Sequence, residues 1–392
     1  MNERLNVSAC LPYDRNRAVL IGRAWVPAAE GPSLVCVRAD GVFDASRVAA
    51  TASALFELED PVASICDAND LPLLASLSET LANSAWNRMD IGAPSFLAPC
   101  DLQALKASGV TFVSSMLERV IEEQARGDPA KAESVRKAIV GVIGDDLASV
   151  RPGSAEAAKL KEVLIAQGAW SQYLEVGIGA DAEIFTKSQP MSAVGLGAEI
   201  GIHPRSEWNN PEPEIVLAVN SRGRSVGATL GNDVNLRDFE GRSALLLGKA
   251  KDNNGSCAIG PFIRLFDDAF GIDDVRDCEL AMRVDGPGGF VLEGASSMAK
   301  ISRDPLDLVG QAIGANHQYP DGLMLFLGTM FAPTQDRLAP GQGFTHVVGD
   351  IVTVATPQLG ALVNRVNRSD RIPPWTFGAG ALMKNLARRG LL

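Results

Sequence analysis

The sequence predicts an α+β protein: a mostly β main domain with a helical lid inserted into it, preceded by a smaller β-containing N-terminal domain. Three observations carry this. The chain has 392 residues, 46% of them hydrophobic, which supplies a large core and exceeds the length one core usually organises. Gly and Pro, at 38 and 22, mark many turns, and from Glu183 onward they alternate with short β-branched runs. Between Ser115 and Gln167 the apolar spacing is helical instead.

In chain order, Ala18–Val26 and Leu34–Arg38 read as strands around the turn at Gly31-Pro32. The Pro-containing stretch Ala93–Pro99 reads as a linker, which places the domain boundary at residue 105 and divides the chain into 1–105 and 106–392. Ser115–Ala125 is a helix that stops at Gly127, and Pro129 opens a second that runs to Leu147. Pro152-Gly153-Ser154 gives a stop and a cap for a third helix, Ala155–Gln167, which is rich in strong helix formers. Ile215–Val219, Val226–Leu230, Leu280–Val284, Gly289–Glu293 and Ile351–Ala355 are strands, while Leu236–Leu247 and Pro305–Ile313 are helix or turn.

Composition narrows the function. A formal charge of −11 with no basic stripe excludes nucleic acid as a partner, and it would repel a small anion unless a metal ion or a few placed cations invert the local field. Six scattered cysteines without CxxC read as reduced core residues. The first fifteen residues lack an apolar leader and no apolar run is long enough for a membrane span, so a cytoplasmic enzyme without a membrane partner is expected. Gly195-Leu196-Gly197 with Gly201 has the wrong spacing for a dinucleotide fingerprint, and the aspartates between Asp267 and Asp277 lack calcium-loop spacing.

The chemistry concentrates at Pro211-Glu212-Pro213-Glu214. On an extended backbone residues two apart share a face, so the two carboxylates converge, and Asp233 follows the next strand, where a hairpin-like return brings a third oxygen alongside. Three such oxygens repel one another and raise their own pKa unless a cation sits among them, a demand that Mg²⁺ or Mn²⁺ meets.

The run Asn232-Asp233-Val234-Asn235-Leu236-Arg237-Asp238, then Lys251, then Gly260-Pro261-Phe262, resembles the ND-V-[ST]-x-R-[DE], Lys and GP-aromatic series of the fumarylacetoacetate hydrolase family, with Asn235 in place of the usual Ser or Thr. Phe185-Thr186-Lys187, Gly328-Thr329, and Gly349-Asp350 through Gly360 to Asn364 follow in family order. The resemblance covers Gly109 to Val366 and implies the family's mixed β-roll. Gly109-Val110-Thr111-Phe112 through Ser115 and Arg119, with Trp208 to Glu214, is most similar to the 2-keto-3-deoxypentonate dehydratases of that family. That likeness implies conversion of 2-keto-3-deoxy-D-xylonate (equally, arabinonate) to 2,5-dioxopentanoate and water in a homodimer or homotetramer.

Several roles follow from this context. Lys251 is the first candidate proton carrier, since a lysine desolvated beside a cation can have its pKa lowered, and Lys187 is the second. Glu118 lies one helical turn from Ser115, so both share a face and would address substrate from the lid. Arg119 is a candidate substrate contact or a partner of Glu122, Arg237 a brace for the Asp233 loop, and Thr329 a donor to the substrate carboxylate. The family's C–C hydrolases resemble one another in using a His ahead of the Glu pair, but His203, His317 and His346 include none before the lid ends. Alternatives are a hydrolase or decarboxylase of acylpyruvate-like acids, and a non-catalytic keto-acid binding protein.

Overall fold

The computed structural model describes residues 4–15, 17–87, 90–143, 150–166, 168 and 170–392. The N-terminal part carries the helices α1 (Val7–Cys10), α2 (Ala52–Phe56), α3 (Pro61–Cys66) and α4 (Leu77–Asn83) around the strands β1 (Leu20–Val26), β2 (Gly31–Val37), β3 (Val42–Asp44), β4 (Leu73–Ala75) and β5 (Ser95–Leu97). Next come β6 (Ala104–Gly109) and four helices, α5 (Val113–Gln124), α6 (Pro129–Ile143), α7 (Ala155–Ala166) and α8 (Gln172–Ile178), before β7 (Glu183–Ser188). Because β6 and β7 are antiparallel neighbours, these helices are an insertion between two paired strands, as the sequence predicts for a lid. The expected continuation of the second helix to Leu147, and Gln167 at the end of the third, lie outside the described residues.

The remaining strands are β8 (Glu199–Ile202), β9 (Asn209–Asn210), β10 (Pro213–Val219), β11 (Ser225–Asp233), β12 (Asn235–Leu236), β13 (Cys257–Leu265), β14 (Glu279–Asp285), β15 (Val291–Ser297), β16 (Leu323–Phe326), β17 (Ile351–Thr356) and β18 (Gly360–Arg368). Helices α9 (Arg237–Glu240), α10 (Leu247–Lys251), α11 (Ile272–Arg276), α12 (Pro305–Ala312) and α13 (Ala379–Arg388) fall between or after them. The large sheet runs β4-β3-β2-β1-β13-β11-β10-β16-β6-β7, with β5 also on β1, and a smaller one runs β15-β14-β17-β18-β8. Pairing of β1 with β13, Leu20 opposite Arg264, makes the N-terminal strands part of the sheet that carries the cluster described below.

Strand β10 shows why this sheet is rigid where it matters. Ile215, Leu217 and Val219 pack toward the second sheet, beside Leu280, Met282, Val352 and Val354. Val216 and Ala218 point the other way, beside Met324, Phe326 and the α2 residues Leu55 and Phe56. A strand buried on both faces in this period-2 manner has one tolerated register, since a one-residue slip would exchange the two sets.

The lid helix α5 forms for local reasons. Met116, Val120 and Ile121 make a buried stripe among strong helix formers, and left-handed Arg126 and Gly127, at φ 53° and 71°, end the helix. The stripe joins a separate small core with Leu164, Leu174, Ile178 and the body's Trp208. Among the described residues no helix is long and apolar enough to cross a membrane, and all six cysteines are unpaired.

Candidate active site

The antiparallel pairing of β10 with β11, Pro213 opposite Asn232 and Glu214 opposite Gly231, is the hairpin return the sequence suggested. It brings one oxygen each from Glu212, Glu214 and Asp233 within 4.8 Å of one another, all three residues buried. The backbone N–H of Asp233 donates to the Glu212 carbonyl at 2.9 Å, and the Glu212 N–H donates to Asn232 Oδ1 at 3.0 Å, so the turn end is fixed by bonds between the acids' own segments.

Their electrostatic situations differ. Glu212 takes Lys251 Nζ on Oε2 at 2.6 Å and Arg119 Nη2 on Oε1. Burial alone would raise its pKa, but Arg119 and Lys251 outweigh burial and hold the carboxyl down to about 2. Asp233 meets Lys251 Nζ at 3.0 Å and Lys187 Nζ at 2.8 Å. Among the described residues no cation touches Glu214, which accepts from the Gly328 N–H at 2.7 Å and the Thr329 hydroxyl at 3.3 Å. Burial, then the charges of Asp233 and Glu212, push its pKa well up. A side chain at Gly328 would collide with Thr111 Oγ1, which is why this donor sits on a glycine, at φ 106°.

The lysines are not equivalent. Lys187 gives its protons to the carbonyls of Lys251 at 2.5 Å and Val234 at 3.2 Å and to Asp233, and is fully buried. These bonds tie the Asp233 segment to Lys251 and Val234 through Lys187, which the sequence suggested as the second proton carrier. Lys251 touches two carboxylates, and among the described residues its third N–H has no acceptor. Burial lowers its pKa, but Asp233 and Glu212 raise it more, so without a cation in the cage the net shift is upward.

The lid residues divide as well. Glu118 is gripped by Arg136 of α6 at 3.1 and 2.8 Å, so it faces along the lid and is not brought to the cluster. Ser115 is buried and donates to the Phe112 carbonyl at 2.9 Å, closing the first turn of α5. Arg119 pairs with Glu122 at 2.6 Å as foreseen, but it also reaches Glu212 and lies 3.2 Å from Glu240. Arg237 braces the loop through Asn210, at 2.9 Å, and Glu122, at 3.1 Å, with no direct bond to Asp233.

Two acids were missed. Glu183 lies four positions before Lys187 on β7, but the register shift at Lys187 interrupts the alternation that would have linked the two in sequence. Burial and then Glu240 raise its pKa to about 7. Gly109, opposite it on β6, is the space its carboxyl occupies: an added Cβ would fall 1.8 Å from Glu183 Oε2. Glu240, one turn beyond Arg237, is buried. Both line a hollow of about 130 Å³ with Gln172, Tyr173 and Val176 of α8, beneath the lid. Neither this hollow nor the larger surface hollows around Ser221–Pro320, Ser8–Gly360 and Arg15–Cys66 is lined by Glu212, Glu214 or Asp233.

The donor set fits a hard divalent cation. Every ligand atom is a carboxylate oxygen, which suits Mg²⁺ or Mn²⁺ better than softer metals. Around the cage stand six carboxyls, Glu122, Glu183, Glu212, Glu214, Asp233 and Glu240, against four cations, Arg119, Lys187, Arg237 and Lys251; with all six ionised the set would carry two surplus negative charges. One divalent ion would balance it.

Comparison with known proteins bears on the family and the fold. A profile for the fumarylacetoacetate (FAA) hydrolase C-terminal family matches residues 166–367, about half of the chain. The chain is 30% identical over 190 residues to 2-dehydro-3-deoxy-D-arabinonate dehydratase of Saccharolobus solfataricus, covering 48% of this chain and 60% of that one. It is 31% identical over 194 residues to a probable 2-keto-3-deoxyxylonate dehydratase of Haloferax volcanii, covering 50% and 63%. The matches thus span less than two thirds of these relatives. In fold the chain is similar to 2-keto-3-deoxy-D-arabinonate dehydratase complexed with magnesium and 2,5-dioxopentanoate, at TM-score 0.60 and 20% identity over 89% of this chain and 99% of that one.

Proposed function

The chain belongs to the fumarylacetoacetate hydrolase family, and from that premise we propose that it is a divalent-metal dehydratase converting 2-keto-3-deoxy-D-xylonate (equally, arabinonate) to 2,5-dioxopentanoate and water. The observation that carries this reading is the buried all-oxygen cage of Glu212, Glu214 and Asp233 beside Lys251, which among the described residues keeps one N–H without an acceptor. The names and magnesium complex of the related dehydratases support it.

Glu212, Glu214 and Asp233 would hold Mg²⁺ or Mn²⁺, which when bound would attract the substrate's carboxylate and ketone oxygens and stabilise the negative charge that develops as a C3 proton leaves. The chain's own groups supply the proton traffic. Glu183, with a pKa about 7, is half ionised near neutrality and takes the C3 proton. Lys251, held protonated by its carboxylate neighbours, gives a proton to the C4 hydroxyl, which departs as water. Glu183 then returns its proton to C3 while Lys251 takes one from C5, restoring both groups and leaving an enol that tautomerises to the aldehyde. Lys187 and Thr329 hold Asp233 and Glu214 in place, Ser115 fastens the start of the lid, and Glu118 takes no part.

The hydrolase reading fares worse, since no histidine lies on the lid and buried His346 is bonded through Nδ1 to Asp350 at 3.0 Å. Residues 1–105 are proposed as a separate unit that extends the sheet and contributes none of these groups, and the enzyme as a cytoplasmic homodimer or homotetramer, which light scattering would size. The deciding test is NMR of 2-keto-3-deoxypentonates with the protein, with and without chelator. Chelator-sensitive aldehyde without carbon loss is expected; pyruvate or CO₂ as product would sink the proposal.

A further inference from the structure

Arg119 and Glu122 lie one turn apart on lid helix α5, and Arg237 and Glu240 one turn apart on body helix α9. The two pairs face each other with opposite polarity: Arg119 to Glu240 at 3.2 Å and Glu122 to Arg237 at 3.1 Å. All four side chains are buried, so solvent screening does little to weaken the clasp. It is neutral as a set, yet Arg119 also holds a fifth member, the cage carboxylate Glu212. Three carboxylates around one guanidinium leave little of it for a substrate, contrary to the contact the sequence suggested.

Resting on the metal site read above, we propose that Arg119 is a positioning residue that latches the lid to Glu212, so that a divalent cation in the cage loosens the lid, and the latched lid weakens the cage's hold on the cation. The sign follows from charge. Glu212 is shared between the lid, through Arg119, and the cage; a cation there neutralises the carboxylate and places like charge next to the guanidinium. The Glu240–Arg119 and Glu122–Arg237 contacts do not involve cage residues and keep the lid in register while the Glu212 contact relaxes. Coupling between two binding events is reciprocal, so whatever the cation does to the latch, the latch does to the cation. An arginine that merely oriented its ligand would behave in the opposite way, its loss weakening metal binding by about 10- to 100-fold.

Magnesium chloride is titrated calorimetrically into the metal-stripped full chain, and amide exchange is followed over α5 and α8. In the wild type, Mg²⁺ is expected to speed α5 exchange by about fivefold while the β14–β17 core stays unchanged. In Arg119→Met, α5 exchanges fast without metal, responds less than about twofold, and binds Mg²⁺ about fivefold more tightly. Arg119→Lys, which keeps one charge but cannot span three carboxylates, falls between, and carries the test should the Met variant not fold. The latch is overturned if Mg²⁺ slows α5 exchange or leaves it unchanged in the wild type, or if either variant binds Mg²⁺ more weakly. A wild type that binds no Mg²⁺ sinks both the cage and the latch. A chain that shows the coupling yet turns over no 2-keto acid sinks the proposed reaction alone.

Discussion

Replacing Glu214 with Gln separates the site's chemistry from its stability. Oxygens of Glu212, Glu214 and Asp233 lie within 4.8 Å of one another, a separation at which two unit charges repel by roughly 3.5 kcal/mol at an effective dielectric constant of about 20. Arg119, Lys251 and Lys187 offset that repulsion at Glu212 and Asp233, whereas Glu214 meets, among the described residues, the neutral donors of Gly328 and Thr329. Glutamine keeps the shape, still accepts from Gly328, and turns an amide toward the two remaining carboxylates. Without metal, Glu214→Gln should therefore be more stable than wild type by about 1 to 2 kcal/mol, less than one full repulsion because the wild-type carboxyl partly escapes by holding a proton. The sign with pH is fixed. A carboxyl whose folded pKa is raised binds more protons in the native state, so wild-type stability falls as pH rises through that range and the variant's advantage widens. Urea denaturation in EDTA at acid, neutral and mildly alkaline pH measures this. Saturating Mg²⁺ at about 100 times its Kd should then add about 2.7 kcal/mol to wild type and far less to the variant, which should not turn over. A variant less stable than wild type in EDTA, or equally stabilised by Mg²⁺, would refute the reasoning.

Other outcomes follow from the same contacts. Lys187→Met leaves Asp233 short of a buried partner and strips two carbonyls, so denaturation should show a loss of about 3 to 5 kcal/mol; Lys251→Met should cost less, since Glu212 keeps Arg119 and Asp233 keeps Lys187, yet abolish turnover by NMR. Gly109→Ala pushes a Cβ to 1.8 Å from Glu183 Oε2, and displacing that carboxyl should lower kcat by about 100-fold while the circular dichroism spectrum is unchanged. Glu183 must be ionised to act as base, so wild-type kcat should fall as pH drops through about 7, a limb that Glu183→Gln should lack in its residual rate; the same raised pKa makes wild-type stability decline as pH rises from the ordinary carboxyl range through 7, a decline the variant should also lack.

The cage could be read from sequence because it is local in register: Glu212 and Glu214 share a strand face, and the β10–β11 pairing returns Asp233 to them. The lid could be read because its helices carry their own caps and stops, Ser154 and Gly127 among them. What surrounds the cage could not. Arg119 reaches Glu212 across 93 positions and Lys187 reaches the Lys251 carbonyl across 64, and no periodicity records such pairings. Helical spacing put Ser115 and Glu118 on one face, but packing of α6 decided which face turned toward the body, and Arg136 took Glu118. The next residue along α5, Arg119, therefore points to the site. The partnership of β1 with β13, about 240 positions apart, is equally invisible to local pattern, as it depends on which sheet edge remains open once β10, β11 and β13 have paired.

The claim on which the rest stands is that Glu212, Glu214 and Asp233 together bind one divalent cation. Anomalous diffraction from crystals soaked in manganese chloride tests it most directly. One strong peak within coordination distance of an oxygen from each of the three residues is predicted; density held elsewhere, or no peak at the three carboxylates under saturating manganese, would contradict it.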